Sequence, residues 1–305
     1  MRLARRVVLA AALALLGATA CGGGEAKPPP RQESGPSWTD IFDRTPDIYV
    51  VIRPQSLKKD SLYGSFWRAL VAAAQARGIA RGATMVEAVE GAQDIIVGVN
   101  QSEAALVLRS VPARLDPAKV AGEDGRPLFR SVSDERKKVI EYEVDDRRVA
   151  GAGSLFVLPD RTWVGVLGGG RDRARASFAS PANRPAPETS ATALVSVRLG
   201  GAFLRLFERH ALLGPLTKKL TSATIELQPG SGGVVVALAY AEAAATAYGE
   251  MQAKKIAAEL AKAPDRAWLK DAKIAYEGDV VFVRVSVPPR LLEELPKVRG
   301  EDLGL

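Results

Sequence analysis

The sequence predicts an α+β fold of two diverged repeats, each an antiparallel sheet with helices packed mainly on one face. Three observations predict it. Short runs alternate apolar and polar residues and meet across turn-forming stretches, the pattern of antiparallel hairpins. Between them lie runs whose apolar residues recur at spacings of three and four, the pattern of helices with one buried face. The order strand, helix, hairpin, helix, hairpin, helix occurs twice, on either side of residues 180–190, where three prolines are mixed with polar residues.

In the first repeat, Ile48, Val50 and Ile52 set a strand that Pro54 stops. Leu62, Phe66, Leu70, Val71 and Ala74 give residues 61–76 an apolar helical stripe. Residues 94–99 and 105–111 read as strands joined through the polar stretch 100–103. Asp116 and Pro117 open a short helix, with Asp116 as N-cap and Pro117 at the first helical position. Strands follow at 128–132, 138–144, 149–158 and 162–167, then a helix at 171–178. Trp38, Phe42, Tyr63, Phe66 and Trp67 are expected to form one aromatic cluster in this repeat's core.

The second repeat starts with a strand at 193–199 and a helix at 202–209. Strands at 221–227 and 234–240 flank a glycine-rich turn at 229–233. An Ala-rich helix spans 242–262. Strands at 273–276 and 280–287 meet across Glu277, Gly278 and Asp279, and a short helix at 289–295 closes the chain. The expected units are therefore 38–180 and 191–305, with a linker at 181–190. Glu141 and Glu143 flank Tyr142, and Arg284 and Ser286 interleave with Val283, Val285 and Val287. Each sheet should have one dry face and one wetter face, and the wetter face is the natural place for a ligand or partner.

The first 37 residues have a different character. Arg2, Arg5 and Arg6 precede an unbroken apolar run at 7–16, and Gly17, Ala18, Thr19 and Ala20 lead into Cys21. This is the layout of a secretory signal peptide, residues 1–20, and the apolar run is short for a membrane span. Residues 21–37 are rich in glycine and proline and read as an extended tether. Ala18-Thr19-Ala20-Cys21 resembles the bacterial lipoprotein signal, in which a Leu-like residue and two small residues precede a lipidated cysteine; here Ala18 stands in the place of the Leu. The resemblance implies acyl chains on Cys21 and a membrane-anchored protein of the bacterial cell envelope. Gly22 stands where an inner-membrane retention Asp would be, which favours the outer membrane, facing the periplasm. The element order over 38–295 also resembles a loose group of duplicated α+β extracytoplasmic proteins of unknown function.

Composition narrows the chemistry. The chain has 305 residues, 47% of them hydrophobic and 25% charged, as in globular proteins. One cysteine and one histidine exclude a disulfide framework, a thiolate zinc site, an iron–sulfur cluster and a poly-histidine metal site. The formal charge is +7; without Arg2, Arg5 and Arg6 the count is 39 basic against 35 acidic, or +4. That excess does not call for nucleic acid. His210 ends the helix at 202–209, where a cation is favourable. No Gly-x-Ser-x-Gly elbow accompanies it. Gly168, Gly169 and Gly170 with Arg171 and Arg173 form a strand-to-helix turn. It is either an anion cradle built from backbone N–H groups and guanidinium charge, or simply a tight turn. No metal or cofactor is expected. The function expected is a non-enzymatic binding or scaffolding module, partnered by an envelope protein, lipid or polymer. The alternatives are a carrier of a lipid or other apolar molecule in a cavity between sheet and helices, and, more remotely, an envelope hydrolase.

Overall fold

β1 (Ile48–Ile52) reads IYVVI, and β8 (Val195–Gly200) begins VSVRL. β1 is apolar on both faces and β8 turns Val195, Val197 and Leu199 to one face, so each wants a neighbour on both edges and belongs in the middle of a sheet. In the computed structural model they lie side by side at the centre of one twelve-stranded sheet, with Ile48 opposite Leu199, Val50 opposite Val197 and Ile52 opposite Val195. The structure describes residues 36–42, 45–76, 82–100, 103–121, 125–132, 138–144, 153–168, 170–182, 184–187, 189–230, 233–288 and 290–291. The signal peptide expected at 1–20 and Cys21 lie outside them, as does most of the tether expected at 21–37 and of the helix expected at 289–295.

The other strands are β2 (Asp94–Val99), β3 (Glu103–Arg109), β4 (Phe129–Ser131), β5 (Ile140–Val144), β6 (Ser154–Val157), β7 (Trp163–Gly168), β9 (Leu220–Leu227), β10 (Gly233–Tyr240), β11 (Lys273–Glu277) and β12 (Val280–Ser286). The sheet order is β11-β12-β10-β9-β8-β1-β2-β3-β7-β6-β5-β4, and every neighbouring pair is antiparallel. Read outward from the centre, both halves run first, second, third, last and last-but-one strand; the first half then adds β5 and β4. The expectation of a separate sheet in each half gives way to one sheet. The physical reason is the β1–β8 seam, which pairs two edges that would otherwise be exposed and apolar.

One face carries Val50, Ile95, Leu108, Val197, Ile225 and Leu238. Onto it pack Leu57 of α1 (Pro54–Lys59), Tyr63 just before α2 (Gly64–Ala76), Trp67 and Val71 of α2, and Ala88 of α3 (Gly82–Gly91). The other face of the first half carries Tyr49, Val51, Ile96, Val107, Phe156 and Val164. It is covered by the 3-10 helix Trp38–Ile41, by Phe42, and by Ala174 and Phe178 of α4 (Gly170–Ala179). Helices are thus not confined to one face in this half. The sheet also divides the expected aromatic cluster, leaving Trp38 and Phe42 on one side and Tyr63 and Trp67 on the other. Gly98 makes room for this: a Cβ there would lie 2.3 Å from the Phe42 ring.

In the second half, Leu204 of α5 (Gly201–Leu204), Ala253 of α7 (Ala243–Leu260) and Trp268 of the 3-10 helix Pro264–Asp271 all join the first of these cores. α6 (Gly214–Thr217) packs against α7. The halves are interlocked above the sheet as well. Asp60 accepts through Oδ1 from the backbone N–H groups of Leu62 (2.9 Å) and Tyr63 (3.0 Å), and through Oδ2 from that of Gly230 (2.8 Å), in the β9–β10 turn. The Tyr63 hydroxyl, fully buried, donates to the Gly233 carbonyl at 3.3 Å. The proline-rich linker is strapped down in the same way. The Arg184 N–H donates to Asp40 (3.3 Å), its guanidinium to the Phe42 carbonyl, and the Ser190 N–H to Glu226 (3.3 Å).

Candidate binding surfaces

The alternation of β5 puts Glu141 and Glu143 on one side and Tyr142 on the other. α4 lies over the carboxylate side, and its arginines descend at helical spacing. Arg171 donates from Nε to Glu141 (2.8 Å) and from Nη2 to Glu143 (2.7 Å), and Arg175 donates from Nε to the second oxygen of Glu141 (2.8 Å). Ser154 donates to Glu141 (3.1 Å), Arg130 to Glu143 (2.6 Å), and Arg173 to Glu103 (2.6 Å). Burial alone would raise the Glu141 carboxyl above its ordinary value; the hydrogen bonds from Arg175 and Arg171 outweigh it and hold the group below. At Glu143, hydrogen bonds from Arg130 and Arg171 lower the carboxyl.

Of the glycine-rich turn, Gly168 ends β7, Gly170 opens α4 and is buried, and Gly169 lies outside the described residues. Arg171 and Arg173 point their guanidinium groups at protein carboxylates, so the charge expected to attract an anion is engaged in fastening α4 to the sheet. His210 also differs from expectation. Its Nδ1 accepts from the N–H groups of Leu212 and Leu213, both at 3.2 Å, so the ring closes the turn that follows the helix.

The wetter face expected from β12 is present and has no helix over it among the described residues. It carries Arg198 of β8, Thr224 and Glu226 of β9, Val235 and Ala237 of β10, and Phe282 and Arg284 of β12, in register across the sheet. Most of these side chains are half-buried by their neighbours, as on an uncovered sheet. The Arg284 guanidinium stacks on Phe282, 4.8 Å from the ring centre. Burial raises the Glu226 carboxyl above its ordinary value, against the lowering effects of the Ser190 N–H, Arg53 and Gln228. Leu291, among the last described residues, packs on the helix side.

A second concavity lies on the helix side. An open groove of about 510 Å³ runs between α7, the 3-10 helix Pro264–Asp271 and β11. Ala257, Ala261, Leu269 and Ile274 are among its apolar walls, and Lys254, Lys262 and Lys270 line it too. Lys254 pairs with Glu250 (2.9 Å) and Lys262 with Glu259 (2.5 Å). The Glu141 cluster is not visible in sequence, because it brings together elements far apart in the chain; the groove joins three consecutive elements, but how α7 packs over β11 is not written in their own patterns. The signal that was available is the i,i+4 pair of Arg171 and Arg175 facing an alternating acidic strand.

No protein-family model matches the chain, and no curated protein matches it. The similarity found is to solved structures. It is to TP0453. The structure of its crystal form III superposes with a TM-score of 0.53 at 12% sequence identity, covering 85% of this chain and 97% of that one. Crystal form IV gives 0.50 at 11% identity, covering 84% and 95%. At this identity the likeness is one of fold.

Proposed function

We propose that the chain is a lipid-anchored cell-envelope protein whose folded part is a non-enzymatic binding module, and that the open sheet face of its second half is where the partner sits. Strands β9, β10 and β12, which have no helix over this face among the described residues, carry this reading. The first half roofs the same side of the sheet with α4 and the 3-10 helix Trp38–Ile41, whereas the second presents mixed apolar, aromatic and charged side chains directly. Such a surface suits a protein or polymer laid across several strands. The anchor is Cys21, supported by the residues that precede it; among the described residues no helix is long and apolar enough to cross a membrane. The matching strand order on either side of the β1–β8 seam supports the further reading that the halves are diverged repeats.

Two measurements test this. Cys21→Ser should move the protein out of the membrane fraction, and a variant that still partitions with membranes would place the anchor elsewhere. A photoreactive residue replacing Ala237 should trap a partner in the intact envelope, while one replacing the exposed Tyr248 on α7 should not. Adducts at Tyr248 alone, or none at Ala237, would remove the open face from the proposal. The groove beside α7, with Ala257, Ala261, Leu269 and Ile274 among its walls, favours a second reading, a carrier of a lipid or other apolar molecule. Under that reading the adduct recovered beside α7 would be a lipid.

A further inference from the structure

β11 ends the sheet. β12 pairs with one of its edges, and among the described residues no strand pairs with the other, so its outward backbone groups are free to hydrogen-bond. Lys273, Ala275, Tyr276 and Glu277 are exposed, and Ile274 is half-buried. The opposite edge, β4, has only three residues. Neither Lys273 nor Glu277 has an ion pair within the described residues. The strand reads Lys-Ile-Ala-Tyr-Glu, a cation, an apolar residue, alanine, an apolar residue and an anion. Run antiparallel to itself about Ala275, it sets Lys273 opposite Glu277, Ile274 opposite Tyr276 and Ala275 opposite Ala275. Cross-strand pairs of opposite charge and of apolar side chains are the ones that stabilise such a contact.

We infer that β11 is a self-complementary edge that pairs antiparallel with β11 of a second copy, joining the two sheets through a two-fold axis at Ala275. The axis runs perpendicular to the sheet, so each face meets the same face of the other copy. Both Lys273–Glu277 ion pairs then lie on the open side, and both Ile274–Tyr276 contacts lie on the helix side. The open faces of the two copies become one surface. This inference rests on the edge strand and stands apart from the function proposed above. A five-residue contact belongs to the small, transient class of interfaces. Anchored copies, confined to a membrane, would meet at a raised effective concentration.

The test is sedimentation of the full chain in detergent over a concentration series extending to about 1 mM. The wild type should show a reversible monomer–dimer equilibrium. Lys273→Glu and Glu277→Lys, each alone, place like charges opposite each other twice, and each should weaken self-association about tenfold. Two rescues follow from the two-fold axis. The double variant Lys273→Glu/Glu277→Lys should dimerise like the wild type, and an equimolar mixture of the two single variants should form a heterodimer. A wild type that stays monomeric throughout would overturn the proposal, leaving the charges as guards against edge pairing. So would single variants that dimerise undiminished, a double variant or mixture that fails to recover, or an edge that pairs only with an unrelated protein.

Discussion

Glu141 is a carboxylate taken out of water and held between two guanidinium groups, with Ser154 filling part of its remaining hydrogen-bonding capacity. A charge in that position is tolerable only while its partners are present, so the loss of one member costs more than the pair contributes. Glu141→Ala is expected to lower stability by about 2 kcal/mol in urea unfolding at neutral pH, chiefly by leaving Arg171 with Glu143 alone and Arg175 with the exposed Asp172. Because the folded carboxyl is held below its ordinary value, its contribution is present above that value and is lost as pH falls through the lowered one. The difference between wild type and Glu141→Ala should therefore shrink as the pH falls below the ordinary carboxylate range. A difference that grows in acid would show that Glu141 is held by something other than its charge.

At the scale of the element, the Ala-rich helix α7 approaches the sheet most closely where it has no side chain. A Cβ on Gly249 would lie 2.3 Å from the Tyr240 ring, whose hydroxyl donates to the Leu216 carbonyl at 3.1 Å. Burial pushes the Tyr240 phenol up to about 12, so it remains a donor through neutral pH. Gly249→Ala should therefore destabilise by ~1–3 kcal/mol, although alanine is the better helix former. A melting temperature that rose instead would mean the helix can slide off the ring without loss. The strands were legible in sequence because β-branched alternation is a local signal, and the hairpins β2–β3, β9–β10 and β11–β12 follow from it. α1 is not legible because Pro54, which stops β1, also occupies the first turn of a helix. α3 is not legible because Gly82 and Gly91 bound a short run that looks like a broken end of α2. The β1–β8 and β3–β7 pairings could not be read at all, since nothing in a strand's own sequence names a distant neighbour. The same holds for the surfaces. A wet face was foreseeable from alternation, but not that α4 would roof it in one half and leave it open in the other.

For the whole molecule, Asp60 and Tyr63 make the two halves one cooperative unit. Both belong to the first half by sequence, yet their hydrogen bonds hold the β9–β10 turn of the second. Asp60→Ala removes three hydrogen bonds at once and should cost about 1–3 kcal/mol. By hydrogen exchange, slow amides in β1 and in β10 should lose protection together. Protection lost only around α2, with β10 unchanged, would show that the halves open independently. The central seam has a further consequence, for the order of events when the chain is made. A ribosome delivers β1 long before β8, so the most apolar strand in the sheet spends the interval with one edge unpaired. Folding cannot close until the far half arrives, and the rate should be set by that late, long-range encounter rather than by the hairpins, which are ready first. If the chain is threaded through a membrane before it folds, β1 would need a chaperone to shield it during transit.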